Sequence, residues 1–170
     1  MTAPDDLKSL HAFNRWADGR VVEALRTLST EQYTREPAPG WPSVRSTFVH
    51  CADGASIWAR RLRGESVTSR RTVADLPTLD DAERLLREGH EAFDRLLAET
   101  TPEALAAVWT YHNLQGQAAS LPLWAVYRHV VNHATYHRGQ IASKLRLLGF
   151  DPPVTDLVQW AIERSASPGD

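Results

Sequence analysis

Apolar residues return at three- and four-residue steps through most of the chain, and the interruptions between these runs divide it into helices. Leu7, Leu10, Ala17, Val21, Leu25 and Leu28 predict a first amphipathic helix over Leu7 to Leu28, with Asn14 on the same face. The stretch "EPAPGWPS" breaks that pattern with prolines and a glycine, after which Ser43 caps a second helix running to about Arg63 and stopped by Gly64. Thr78, followed three residues later by Asp81, forms a capping box for a third helix through about Glu99. Residues 101–121 read differently: "AVWTYHNLQGQAAS" carries a short β-favouring run and Gly116, which predicts a brief hairpin or extended link. Pro122 suits the first turn of a fourth helix, with Ser120 near its cap and Gly149 after its last apolar residue, Leu148. A last short helix, about Asp156 to Arg164, follows "DPPV". Four long amphipathic helices predict an all-α four-helix bundle, an architecture whose metal sites are built from side chains on facing helices.

Composition narrows the function classes. A chain of 170 residues is expected to be one domain, 1–170, with room for a sizeable core. A net charge of -2 gives no electrostatic footprint for nucleic acid; the local clusters Arg60, Arg61, Arg63 and Arg70, Arg71 read as solvated helix ends and loop. With one cysteine, Cys51, no intramolecular disulfide can form, and a reducing compartment fits best. The opening "MTAPDDLKSLHAF" does not read as a signal peptide, and no run approaches the ~18 apolar residues of a membrane span. The expectation is a soluble cytoplasmic protein that takes a small-molecule substrate and contacts neither membrane nor nucleic acid.

The chemistry concentrates in "HVVNHATYHRGQ", where His129, His133 and His137 recur every fourth residue. On the fourth helix Leu123, Tyr127, Val130, Ala134, Ile141, Leu145 and Leu148 share one arc. His137 lies inside it, His133 near its edge and His129 further round, because each four-residue step drifts by about 40°. His129 and His137 are separated by about 12 Å along the axis, too far to share an ion at Zn–N distances of about 2.0–2.1 Å. Facing therefore favours His133 with His137 as a chelating pair. A third ligand must come from elsewhere, and His11, His50, His90, His112 and several carboxylates are all open on this reading.

"HVVNHATYHRGQIASKLRLLG" resembles the signature helix of the DinB-like family, related to the YfiT-type metal-dependent hydrolases. "FNRWADGRVVEAL", "STFVHCADGASIWARRL", "YHNLQGQ" and "PPVTDLVQW" resemble its other segments, so the likeness runs nearly the length of the chain. It implies an up-and-down four-helix bundle, often a homodimer, with a divalent metal held by one histidine of the second helix and two of the fourth. By motif these are His50, His133 and His137, and His129 is then a polar edge neighbour. Periodicity does not nominate His50, which projects away from the arc of Val44, Phe48, Cys51, Ala55 and Leu62 and groups with Gly54 and Ile57. Gly54, one turn on, would leave room for an ion.

Three imidazoles suit Zn or Ni, and also Fe, and leave at least one coordination position open. Such an ion acidifies a bound water or a bound thiol. The resemblance adds low-molecular-weight thiols of the mycothiol or bacillithiol type, since members of the superfamily include S-transferases and a maleylpyruvate isomerase. The expectation is a metal-dependent thiol S-transferase or hydrolase; the alternative is a non-enzymatic stress- or damage-associated protein with a structural ion. Asn14 is expected to hydrogen-bond a ligand histidine or to be satisfied by backbone. Arg138 faces a substrate anion or else forms a salt bridge between helices. Cys51, on the apolar arc, reads as a buried small hydrophobe, and Trp58 and Trp124 line a pocket or pack the core.

Overall fold

The computed structural model describes residues 4–40 and 42–166. Four long helices carry the architecture: α1 (Pro4–Arg26), α3 (Val44–Leu62), α4 (Leu79–Glu99) and α6 (Leu123–Leu147). Two single-turn helices, α2 (Thr30–Thr34) and α5 (Pro102–Ala106), and a terminal α7 (Leu157–Ala166) complete the helical part. The strands β1 (Val108–His112) and β2 (Ala118–Pro122) form a small antiparallel pair. The chain is thus mostly helical, as the periodicity predicts. α1 packs against α4 and α6, and α3 packs against the same two, so the four long helices close a ring around one core.

Local chemistry explains where the elements begin. Ser43 accepts from Ser46 N at the start of α3, and the Thr78 and Asp81 capping box opens α4 as expected. A second capping box, Ser29 with Gln32, nucleates α2, which the apolar spacing does not predict because a single turn has no period. The hairpin turn places Gly116 at φ +75°, where a Cβ would be strained. One expected start differs. Pro122 is the last residue of β2 and the cap of α6 without a side-chain bond, while Ser120 lies in β2 and meets Thr110 Oγ1 at 2.8 Å instead of capping. The hairpin therefore runs straight into α6, and strand pairing does the work of a cap.

The core joins Leu7, Leu25, Phe48, Phe93, Tyr127 and Ile141, all essentially inaccessible, across the four long helices. α7 is fastened to α1: Trp160 meets Phe13 edge-on at 6.0 Å, and Glu163 accepts from Trp16 Nε1 and Arg20 Nη1. No helix among the described residues is long and apolar enough to cross a membrane. Trp41, one of the six tryptophans, lies outside the described residues.

Candidate metal centre

α3 and α6 lie side by side, and their contact brings three imidazoles to one point. His133 Nε2 is 3.3 Å from His50 Nε2 and 3.2 Å from His137 Nε2, and the three residues offer donor atoms all within 4.8 Å of one another. Two ligands of a tetrahedral ion at Zn–N distances of about 2.0–2.1 Å stand about 3.3 Å apart. The two separations from His133 match that spacing. Among the described residues, this cluster includes no fourth histidine, cysteine or carboxylate.

Each ring reaches the centre for a local reason. His133 and His137 are one turn apart on α6 and point the same way. His50 comes from α3, which is buried on more than one flank: Thr47, Val49, Asp53 and Ser56 are buried as well as Val44, Phe48 and Ala55. A single-arc projection therefore misplaces it. Gly54 does make room, but for a ring: a Cβ there would stand 3.2 Å from His133 Cε1. Of the other histidines, His11 is buried and donates from Nε2 to the Tyr127 carbonyl at 3.0 Å. His90 Nε2 lies 3.1 Å from Asp18, and His112 is exposed on β1. His129 is exposed, its ring 5.0 Å from that of Trp58 and outside the cluster, as facing predicts.

The hydrogen bonds around the cluster set its proton positions. His137 Nδ1 lies 2.7 Å from Gln140 Oε1, which can only accept, so a neutral His137 carries its proton on Nδ1 and turns the lone pair of Nε2 toward the centre. Arg70 Nη1 lies 2.8 Å from His50 Nδ1; a guanidinium only donates, so a neutral His50 carries its proton on Nε2, facing inward. His133 cannot satisfy both neighbours. With a proton on Nε2 it opposes the N–H of His50, and without one it opposes the lone pair of His137. A divalent ion held by the three rings would take one lone pair from each, His50 then carrying its proton on Nδ1 in place of the contact with Arg70. Burial, with His137 and Arg70 nearby, lowers the pKa of His50 to about 4, and burial with the neighbouring histidines does the same for His133. Both rings are neutral at pH 7, the form that ligates.

The rest of the surroundings sort into support and wall. Arg138 donates from Nη1 to Asp18 Oδ1 and to Asn14 Oδ1, each at 2.7 Å, so it bridges α6 to α1 as an interhelical ion pair. Asn14 donates in turn to Asp18 Oδ2 at 3.1 Å and serves this pair; the expected bond to a ligand histidine is absent because Arg138 and Asp18 occupy both ends of its amide. Burial alone would raise the Asp18 carboxyl, but His90 and Arg138 hold it below the ordinary range. Cys51 is half-buried, and burial together with Asp18 pushes its thiol well up, away from the reactive thiolate. Trp58 walls a hollow beside His133, whereas Trp124 is 38 % exposed and does not wall the cleft next to the histidines.

Two arginine readings change. Arg61 is buried, not solvated, its guanidinium 5.0 Å from the rings of Trp58 and Tyr111. Arg70 and Arg71 are exposed along their length but reach inward at their tips. Arg71 meets Ser56 Oγ at 3.1 Å and the buried Asp53 at 3.6 Å, and burial still raises the Asp53 carboxyl. Nothing in the sequence marks Arg70 as a neighbour of His50. Gln140, three residues beyond His137, was legible as a same-face partner.

His50 and His137 also form part of the wall of a cleft of about 840 Å³ between α3 and α6, continued by Ser46, Thr47, Ser143 and Lys144. The centre is thus reachable from solvent.

Comparison with known proteins places the chain in a family. The profile of the DinB family matches residues 2–165. The chain is similar to Protein DinB of Bacillus subtilis (strain 168), 26% identical over 152 residues that cover 86% of this chain and 88% of that protein. Among solved structures it is similar to a DinB-like protein from Bacillus cereus ATCC 10987, with TM-score 0.60, 22% identity, and 82% of this chain and 91% of that one covered. A second similarity, to the mycothiol-dependent maleylpyruvate isomerase, has TM-score 0.48 and 20% identity over 86% of this chain and 70% of that one. With a profile match over nearly its whole length and three histidines gathered between α3 and α6, the chain belongs to the DinB family.

Proposed function

We propose that His50, His133 and His137 hold one divalent metal ion, Zn or Ni in first place and Fe in second, and that the loaded protein is an enzyme acting on a small molecule. The observation that carries this reading is the convergence of the three imidazoles at coordination spacing beside an open cleft. A divalent ion there supplies Lewis acidity to a water or a thiol entering from the cleft. The chain's own part is to present neutral ligands and keep a position free. Thiol S-transfer, with a mycothiol- or bacillithiol-type co-substrate, is placed ahead of hydrolysis on the family resemblance.

Metal content by elemental mass spectrometry on tag-free protein tests the ligand set. One equivalent in the wild type that survives His129→Ala but is lost in His50→Ala and His137→Ala is expected. Absence of metal after incubation with each ion would refute the reading. A metallated protein inert across a panel of thiols and esters, and unfolded on stripping, would favour a structural ion in a non-enzymatic stress-associated protein. We also propose a homodimer, supported by the exposed Leu157, Val158 and Ile162 on α7; sedimentation equilibrium showing a monomer at micromolar concentration would oppose it.

A further inference from the structure

Lys144 lies on α6 seven residues beyond His137, two turns away and about 10 Å further along the axis. It is 4 % exposed, yet it forms part of the wall of the same cleft as His50 and His137. Helix side chains lean toward the N-terminus, which turns the ammonium back toward the histidines. Its Nζ donates to Thr47 Oγ1 on α3. The Thr47 hydroxyl donates its own hydrogen bond to the Ser43 carbonyl at 3.2 Å, leaving a lone pair for the lysine. An ammonium has three donors, and this bond uses one.

Among the described residues no carboxylate stands within ion-pair distance of Lys144, whereas Arg138 pairs with Asp18, Asp53 with Arg71, and the buried Arg61 lies over the rings of Trp58 and Tyr111. Burial lowers the pKa of Lys144, with Cys51 acting weakly the other way. An unpaired ammonium so placed costs stability, and a methionine of similar length would pack there without that cost. The fold uses one of its three donors, in the bond to Thr47, and leaves the charge itself without a counter-ion. A ligand can supply one, because the other wall residues near Lys144, namely Ser46, Thr47 and Ser143, are hydroxyl-bearing and neutral.

We propose that the cleft binds a small organic anion whose carboxylate is taken by Lys144 while its reacting end faces His50 and His137; this rests on the metal reading of those histidines. Lys144 is the specificity determinant, selecting acids over their neutral esters.

The test loads the full chain with cobalt and titrates it with mercaptobutanoate and mercaptohexanoate, thiol at the far end, and with the methyl ester of each. Thiolate-to-cobalt absorption in the near ultraviolet reports binding of acid and ester alike. For at least one chain length the acid is expected to bind about tenfold more tightly than its ester in the wild type, as one charge-assisted contact in a buried setting allows. Lys144→Met is expected to bring the acid to the level of the ester and to leave the ester unchanged. Equal binding of acid and ester at both lengths in the wild type, with the absorption present, overturns the assignment without recourse to any variant. So does an advantage that survives Lys144→Met. Failure to load cobalt refutes the metal reading and the assignment with it; loading without absorption from any probe leaves the ion in place and overturns the assignment alone.

Discussion

Arg70 gives the sharpest prediction about the centre, because its bond to His50 and a metal ion compete for one ring. The guanidinium donates to Nδ1 at 2.8 Å, which requires the proton of a neutral His50 to sit on Nε2. Ligation by Nε2 requires that proton to move to Nδ1, where Arg70 offers a donor against a donor. The contact must open before His50 can ligate. A hydrogen bond to a charged group contributes about 1.5–3 kcal/mol; Arg70 is exposed, so solvent and salt reduce this to about 1 kcal/mol. Arg70→Met should then tighten zinc binding about fivefold. Loss of the cation would also favour a divalent ion through simple charge repulsion, and this part fades at high ionic strength, where the Debye length falls to about 3 Å. Competition titration against a chromophoric chelator, at low salt and at about 1 M salt, separates the two. A gain that persists at high salt supports the proton-position argument. Unchanged or weaker zinc binding in a folded Arg70→Met protein would refute it.

Three further outcomes follow from the same contacts. Gly54→Ala should raise the thermal midpoint of the metal-free protein, since alanine in a helix is favoured by about 1 kcal/mol, yet weaken zinc binding several-fold by pressing on the His133 ring 3.2 Å away; paired calorimetric scans and zinc titrations should show opposite signs. Arg138→Met leaves the buried Asp18 without its cation and should cost roughly 3–5 kcal/mol in urea unfolding; a loss under about 1 kcal/mol would mean that His90 and Asn14 suffice to hold the carboxylate. Burial lowers the pKa of His11 to about 4 despite its bond to the Tyr127 carbonyl, so the unfolded chain binds the extra proton between about pH 6.5 and 4. Stability from this residue is complete above pH 6.5 and lost as pH falls through that window, by about 3 kcal/mol. His11→Gln should flatten the slope of unfolding free energy in the window by about one proton, and an unaltered slope would show that another group carries it.

How much of this was legible beforehand depended on how many flanks each helix buries. α6 keeps an exposed side, so its apolar arc separated the half-buried pair His133 and His137 from the exposed His129, while His133, placed at the edge of the arc, lines the inner hollow beside Gly54. α3 is covered by α4 on one side and α6 on the other, and its second buried flank holds Thr47, Asp53 and Ser56, polar residues that no hydrophobic arc collects. His50 was therefore visible through the family motif and not through periodicity. Caps with side-chain signals, Ser43 and Thr78, stood where the sequence placed them, whereas the start of α6 depends on β1 pairing with β2, a contact that local reading cannot supply. Arg70 and Arg71 come from a loop without periodicity, and their inward tips are decided only when that loop lies across α3.

The joint between α3 and α6 carries two bridges, the three imidazoles and, about two turns further along α6, the bond from Lys144 to Thr47. Both report on the same separation of the same pair of helices. Occupants of the two bridges are consequently linked: whatever factor an ion adds to the affinity for an anion on Lys144, the anion must add to the affinity for the ion. Reciprocal titrations, each ligand in the presence and absence of the other, should return one coupling factor, and a factor of one would mean that the two helices form a rigid strut along which neither end senses the other.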